Sequence, residues 1–111
     1  MPRRKRVVFP GCVLHLTDRG NDRMPIFTCT LEYQRFLRLV RAAALRIRVQ
    51  VFAFCLMANH FHLLAKFELG NPAEMMQLVL MKYARWFNHR HGRVGHLFQD
   101  RYHSRLITDE V

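Results

Sequence analysis

The strongest structural signal in this chain is the string Asn59-His60-Phe61-His62-Leu63-Leu64, which follows a long apolar run. Successive side chains of a β-strand point to opposite faces, so His60 and His62 share one face while Phe61 and Leu63 share the other. The string therefore predicts a strand with one polar face and one packing face. Alternate strand positions lie about 6.5–7 Å apart, so both imidazoles can reach one metal ion through bonds of roughly 2.0–2.2 Å.

Hydrophobic periodicity on either side of this string predicts five further elements. Strands show alternation or apolar, β-branched composition, and helices show apolar residues at helical spacing. The order is strand, helix, strand, strand, helix, strand. The predicted bounds are 7–18, 30–48, 49–57, 60–67, 71–92 and 96–107. Pro10-Gly11 breaks the first of these stretches, and its alternation begins at Cys12.

That order predicts an α+β fold, the split βαβ of a ferredoxin-like sandwich, with an antiparallel sheet and two main helices. A length of 111 residues fits one domain, so residues 1–111 are interpreted as a single unit. The first and third strands are neighbours in this topology. His15 is therefore expected near His60 and His62, as a residue that supports the metal ligands.

The charge balance favours a polyanionic partner. Lys and Arg number 18 against 8 Asp and Glu, which gives a formal charge of +10. Nucleic acid is the leading candidate. A membrane is not expected, because no apolar stretch reaches the ~18–20 residues that a span needs. Three cysteines without a C-x-x-C pair, and no signal peptide after the basic start, predict a cytoplasmic protein with reduced thiols.

Two groups of basic residues are candidates for DNA binding. Residues 1–6 form a basic arm suited to phosphates or to a minor groove, through Arg3, Arg4, Lys5 and Arg6. Other arginines flank the predicted loops and the last strand, where they are suited to hold a DNA backbone. These are Arg19, Arg23, Arg90, Arg93, Arg101 and Arg105.

Several motifs in sequence order resemble a known family over nearly the whole chain. They are His15-Leu16-Thr17, Arg19-Gly20-Asn21, Cys55-Leu56-Met57-Ala58-Asn59-His60-Phe61-His62-Leu63-Leu64, Tyr83 to Phe87-Asn88, and Gly95-His96-Leu97-Phe98-Gln99-Asp100-Arg101-Tyr102 with Ser104. The chain is similar to the HUH single-tyrosine transposases. Within them it is most similar to the REP-associated tyrosine transposases.

The resemblance implies an endonuclease and strand transferase that acts on single-stranded or hairpin DNA, depends on a divalent metal and works as a homodimer. The HUH motif maps onto His60 and His62, with Asn59 beside them as a possible supporting residue. Mg²⁺ or Mn²⁺ is the expected ion, and oxygen ligands and water would complete the coordination of two imidazoles. Cleavage would leave a phosphotyrosine intermediate, which permits rejoining without ATP.

The nucleophilic tyrosine of similar transposases lies on a helix after the final strand, and the sequence stops where that helix would begin. The chain is therefore expected to be a C-terminally truncated transposase. Tyr83, on the second predicted helix, is the fallback candidate for the nucleophile, although its helical apolar stripe favours a core position.

Other functions stay open on the residues alone. The chain could be a nucleic-acid-binding ferredoxin-like module without chemistry, or an inactive transposase remnant that still binds DNA. It could also be a structural or dimerisation domain whose histidine pair holds zinc. Metal-dependent nicking of hairpin DNA would distinguish the enzyme from the other three.

Overall fold

The computed structural model describes residues 8–99 and 101–108 of the chain. Its elements follow the predicted order, with a short 3₁₀ turn at Asn21–Arg23 after the first strand. Their bounds are β1 Cys12–Arg19, α1 Thr30–Arg46, β2 Val49–Met57, β3 His60–Phe67, α2 Pro72–His91 and β4 His103–Ile107. The basic arm predicted at residues 1–6 lies outside the described residues.

The sheet topology confirms the predicted α+β, ferredoxin-like fold. The strands lie in the order β2-β3-β1-β4, and each neighbouring pair is antiparallel. In the central pair, Thr17 lies opposite His62 and Arg19 lies opposite His60. The strands that carry His15 and the His60 and His62 pair are therefore the two inner strands of the sheet.

The core lies between the sheet and the two helices. Leu14 and Leu16 of β1, and Phe61 and Leu63 of β3, are buried in one cluster with the apolar sides of α1 and α2. Full burial of one such side chain contributes about 1.5–3 kcal/mol. A one-residue slip of β3 would move this set to the opposite face, so the alternation fixes the register.

The prediction for the last strand is wrong at its start. We predicted a strand over 96–107, whereas β4 begins at His103. The backbone of residues 97–99 bonds that of residues 19–21 instead, with N to O distances of 2.7 and 2.9 Å. The alternation of residue types does not distinguish residues 97–99 from β4. The backbone groups of both segments form hydrogen bonds with β1 or with the loop after it.

Backbone dihedral angles explain where the other elements begin and end. β1 begins at Cys12, after Gly11 with a φ of 85°, and α1 ends at Arg46, shortly before Arg48 with a φ of 57°. Positive φ interrupts both regular structures. Gly92, with a φ of 61°, ends α2 as predicted. Neither helix within the described ranges is both long and apolar enough to cross a membrane.

A buried carboxylate joins the two helices. Glu32 of α1 is fully buried, and its oxygens accept hydrogen bonds from the Thr28 backbone N–H and hydroxyl at 2.7 Å each. On α2, Arg90 Nε donates to Glu32 at 2.9 Å, and His91 Nε2 lies 2.6 Å from the same oxygen. Burial raises the pKa of Glu32, but these hydrogen bonds outweigh burial and hold the pKa below its usual value.

Candidate metal and nucleic-acid site

The two histidines of the opening motif lie on the side of the sheet that α1 and α2 leave uncovered, which we call the open face. His60 and His62 are half-buried there, while Phe61 and Leu63 point into the core. The two imidazole centroids are 5.2 Å apart, and the rings are nearly perpendicular at 84°. The structure therefore places both rings on one face, as the sequence predicts.

A neighbouring side chain holds the Nδ1 atom of each imidazole. His15 Nε2 lies 2.9 Å from His62 Nδ1, and the two rings stack at a centroid distance of 5.1 Å. Asn59 Oδ1 lies 2.9 Å from His60 Nδ1. Among the described residues no hydrogen bond engages the Nε2 atom of His60 or His62, so that nitrogen is available to a ligand on both rings.

Electrostatics favour an uncharged His62. Burial lowers the pKa of His62, and the nearby His15 and His60 lower it further, because a second positive charge beside them is unfavourable. Metal coordination requires the neutral imidazole with a lone pair on its outer nitrogen. The lowered pKa therefore favours the neutral form of His62, which is the form that a metal ion would need.

An open cleft of about 560 Å³ lies beside His60 at the end of the sheet. Two cationic side chains, Arg19 and Arg23, line the cleft together with polar groups. The remaining lining residues are Thr17, Asp18, Asn59, His60 and His103. The cleft therefore combines imidazole and guanidinium groups, which suits an anionic ligand.

His103 is a residue of this cleft that our sequence analysis missed. It begins β4 and lies opposite Thr17, which in turn lies opposite His62. The three residues therefore form one row across the open face. The available signal is a histidine on the last predicted strand, but its place depends on the β1–β4 register, which the sequence does not give.

The end of β1 brings Arg19 to this cleft, and the loop after β1 brings Arg23 to it. Gly20 donates its N–H to the Asn59 carbonyl at 2.9 Å, which ties the loop to the start of β3. A Cβ at Gly20 would overlap the carbonyl oxygen of Met24, so glycine is required for steric reasons. Asn59 Nδ2 also donates to the Arg23 carbonyl at 3.4 Å.

The arginines predicted to bind DNA fall into different environments. Arg19 and Arg23 line the cleft, and Arg105 lies opposite His15 in the β1–β4 register. Arg101 is exposed beside a separate cavity along α2. Arg19 also donates from Nε to Gln99 Oε1 at 2.6 Å. We therefore group Arg19, Arg23 and Arg105 with the paired histidines.

Two of the arginines predicted to hold a DNA backbone make contacts within the fold. Arg90 donates to the buried Glu32, and Arg93 donates to Asn88 Oδ1 at 2.5 Å and to the His96 carbonyl at 3.4 Å. These bonds stabilise the end of α2. Both side chains lie away from the paired imidazoles, because α2 covers the opposite face of the sheet.

The position of Tyr83 contradicts its role as a fallback nucleophile. The side chain is fully buried, and its hydroxyl donates to the Ile26 carbonyl at 2.5 Å. Burial, together with the charge of Glu32, raises the pKa of Tyr83 far above its usual value, so the phenolate is strongly disfavoured. Tyr83 is a core residue, as its apolar stripe indicated.

The described residues provide only part of the ligand set that a metal ion needs. Within residues 8–99 and 101–108, no group of three or more His, Cys, Asp or Glu side chains is arranged to hold a metal. His60 and His62 would supply two nitrogens to such an ion, and further ligands would come from water, from DNA or from another protein segment.

Paired imidazoles and arginines lie on the uncovered face of a ferredoxin-like sheet, and the charge of this face favours an anionic ligand. The chain matches the family model for IS200-like transposases over residues 8–110. It belongs to the IS200-like transposase family.

Solved structures share the fold. One is a REP-associated tyrosine transposase bound to a REP hairpin, with a TM-score of 0.78 and 17% identity over 99% of this chain and 64% of that chain. Another is a transposase-like protein of Deinococcus radiodurans R1, with a TM-score of 0.67 and 14% identity over 97% of this chain and 88% of that chain. A comparison with curated proteins finds no match.

Proposed function

We propose that this transposase chain binds single-stranded or hairpin DNA on its open face and cleaves it with the help of a divalent ion held by His60 and His62. The observation that carries the proposal is the geometry of the two imidazoles. They share one face, 5.2 Å apart, and each is held through Nδ1 with Nε2 left for a ligand. Hydrogen bonds to the ring nitrogen that does not bind the metal fix the orientation of metal-binding histidines.

The surrounding side chains have distinct tasks in this proposal. Arg19 and Arg23 bind the phosphates that flank the scissile bond, with Arg105 further along the same face. His15 and Asn59 orient the two ligand rings. Gly20 keeps the loop that carries Arg23 against the start of β3, so that Arg19, Arg23 and His60 face one cleft.

Mg²⁺ or Mn²⁺ is the proposed ion. When bound, the ion supplies positive charge that neutralises a non-bridging phosphate oxygen as the phosphorus is attacked. Two neutral imidazoles suit Mn²⁺ better than Mg²⁺, and the lowered pKa of His62 keeps its ring uncharged.

We place the nucleophile of the phosphotyrosine mechanism outside the described residues. The chain contains three tyrosines. Tyr83 lies in the core, and Tyr33 and Tyr102 pack against the core. A tyrosine from a further segment of either subunit would complete the site. The likeness to a REP-associated transposase, of which this chain spans 64%, supports the proposal.

The test measures metal and DNA binding separately. Mn²⁺ binding is followed by electron paramagnetic resonance, and binding of a labelled hairpin is followed by fluorescence anisotropy. We expect the double variant His60→Ala/His62→Ala to lose Mn²⁺ binding while hairpin affinity changes less than about threefold, because the arginines carry the phosphate contacts. The control, His89→Ala/His96→Ala, removes two exposed histidines from outside the cleft.

Two of the alternative functions predict different results when the same titrations are made with Mn²⁺ and with zinc. Hairpin binding without Mn²⁺ binding by the unmodified chain would favour a binding module without chemistry. Stoichiometric zinc binding without DNA affinity would favour a structural metal domain. Equal loss of Mn²⁺ binding in the control variant would contradict the assignment of His60 and His62.

A further inference from the structure

The outer side of the helix pair carries a concentration of positive charge that the proposed cleavage site does not use. α1 and α2 together bear seven Arg and Lys side chains, against Glu32 and Glu74. Glu32 is already paired with Arg90, so it neutralises little of this surface. The cations are Arg35, Arg38, Arg41, Arg46, Lys82, Arg85 and Arg90.

Two clefts between α1 and α2, which we call the helix groove, collect part of this charge. The larger, of about 270 Å³, is lined by Leu31, Gln34, Arg35, Arg38, Trp86 and Arg90. The smaller, of about 100 Å³, includes Arg46 and Lys82. Because both helices cover the core face of the sheet, the groove lies on the other side of the molecule from His60 and His62.

Trp86 forms an aromatic platform in the larger cleft. The indole is half-buried, with the Arg35 guanidinium 4.8 Å and the Arg90 guanidinium 5.7 Å from its ring centroid. Its inner side packs against Tyr83, with ring centroids 5.9 Å apart. Glu32 holds Arg90 in place, whereas in the described part of the chain no ion pair holds Arg35 or Arg38.

We propose that the helix groove binds a second segment of single-stranded DNA. Arg35 leaves the Trp86 ring and binds the phosphates together with Arg38, so that one base stacks on the indole in its place. An aromatic platform beside a row of cations is the arrangement that proteins use for single strands without sequence preference. An acidic peptide could satisfy the arginines, but it has no planar group for the indole. The proposal rests on the proposed function, because it assumes that the chain works on DNA.

Trp86 is the single tryptophan of the chain, so its fluorescence reports on this groove. The experiment titrates the chain with an oligothymidylate of about 15 nucleotides and follows both Trp86 fluorescence and the anisotropy of a labelled oligonucleotide. We expect saturable quenching that is the same in the His60→Ala/His62→Ala variant. We expect Arg35→Gln/Arg38→Gln to weaken the oligonucleotide affinity measured by Trp86 quenching about tenfold. The slope of the logarithm of this affinity against the logarithm of the salt concentration should fall in magnitude by about 1.4, or about 0.7 for each lost phosphate contact.

The control variant, Arg41→Gln/Arg48→Gln, removes the same charge at two exposed positions that do not line the groove. Oligonucleotide binding without a change in Trp86 fluorescence would overturn the groove assignment and leave the proposed function intact. Equal weakening by both double variants would also overturn it. Equal quenching by polyglutamate at matched ionic strength would identify an acidic polypeptide surface instead. Failure of any DNA to bind would contradict the proposed function itself.

Discussion

Glu32 illustrates how one side chain acquires its role from its partners. A fully buried carboxylate is costly unless it is paired and hydrogen-bonded. Thr28 supplies two hydrogen bonds, and Arg90 and His91 approach from α2. The side chain therefore joins the start of α1 to the end of α2. Arg90, which the sequence predicts to bind DNA, is held by this contact with its guanidinium 5.7 Å from the centroid of the Trp86 ring.

Replacement of Glu32 by Gln should destabilise the fold by about 2 kcal/mol at neutral pH, because charged hydrogen bonds are replaced by neutral ones. The pKa of Glu32 is held below its ordinary value of 4.5. A depressed carboxyl pKa stabilises the fold above the ordinary value, and this stabilisation is lost as pH falls through the folded-state pKa. The difference between variant and unmodified chain should therefore shrink below about pH 4.5.

Urea unfolding at a series of pH values measures this effect. Glu74→Gln, at an exposed position in the first turn of α2, is the matched control and should change stability by less than about 0.5 kcal/mol. A cost for Glu32→Gln that stays constant from neutral to acid pH would contradict the role of the carboxylate charge.

Strand β3 separates packing from chemistry by its alternation. Phe61 and Leu63 fill the core, whereas His60 and His62 occupy the open face. Because side chains on one strand alternate strictly, the core residues fix the direction of the imidazoles. The order of the two imidazoles therefore depends on the packing of Phe61 and Leu63 on the other face of β3.

Neighbouring substitutions on β3 should consequently have very different effects on stability. Phe61→Ala leaves a cavity in the core, and we expect a cost of about 3–5 kcal/mol. His62→Ala removes a half-exposed side chain and one hydrogen bond, and we expect about 1 kcal/mol or less. Urea unfolding measures both, with Phe61→Leu as an intermediate variant if the alanine variant does not fold. Similar costs at the two positions would show that the open face is also packed.

Charge is distributed over both sides of the whole molecule. The formal charge is +10, and the cations occur on the cleft side and along the helix groove. With Asp18 and Glu32 buried, few described carboxylates remain on the surface to neutralise them. Such a protein is expected to bind polyanions with strong dependence on ionic strength.

Affinity for a hairpin oligonucleotide should fall at least about 50-fold between about 50 and 200 mM salt, if four or more phosphates are contacted. Fluorescence anisotropy of a labelled hairpin measures this change. Sucrose at the same osmolality serves as the control, since it leaves the ionic strength unchanged. An affinity that varies less than twofold with salt would rule out phosphate contacts as the main source of binding.

Local patterns in the amino-acid order were sufficient to predict the order of elements, the ferredoxin-like fold and the shared face of His60 and His62. Alternation and helical spacing are properties of residues that are close in sequence, so they can be recognised without knowledge of the fold. The family resemblance drawn from the same motifs agrees with the match to IS200-like transposases.

Contacts between distant parts of the chain required the folded molecule. Arg90 meets Glu32 across 58 positions, His103 reaches the cleft through the β1–β4 register, and Tyr83 donates to a carbonyl 57 positions away. Such contacts depend on how the elements pack, and many pairings are compatible with the same local pattern. The sequence therefore offered the right types of residue, while the three-dimensional packing assigned each one to the cleft, the core or the helix groove.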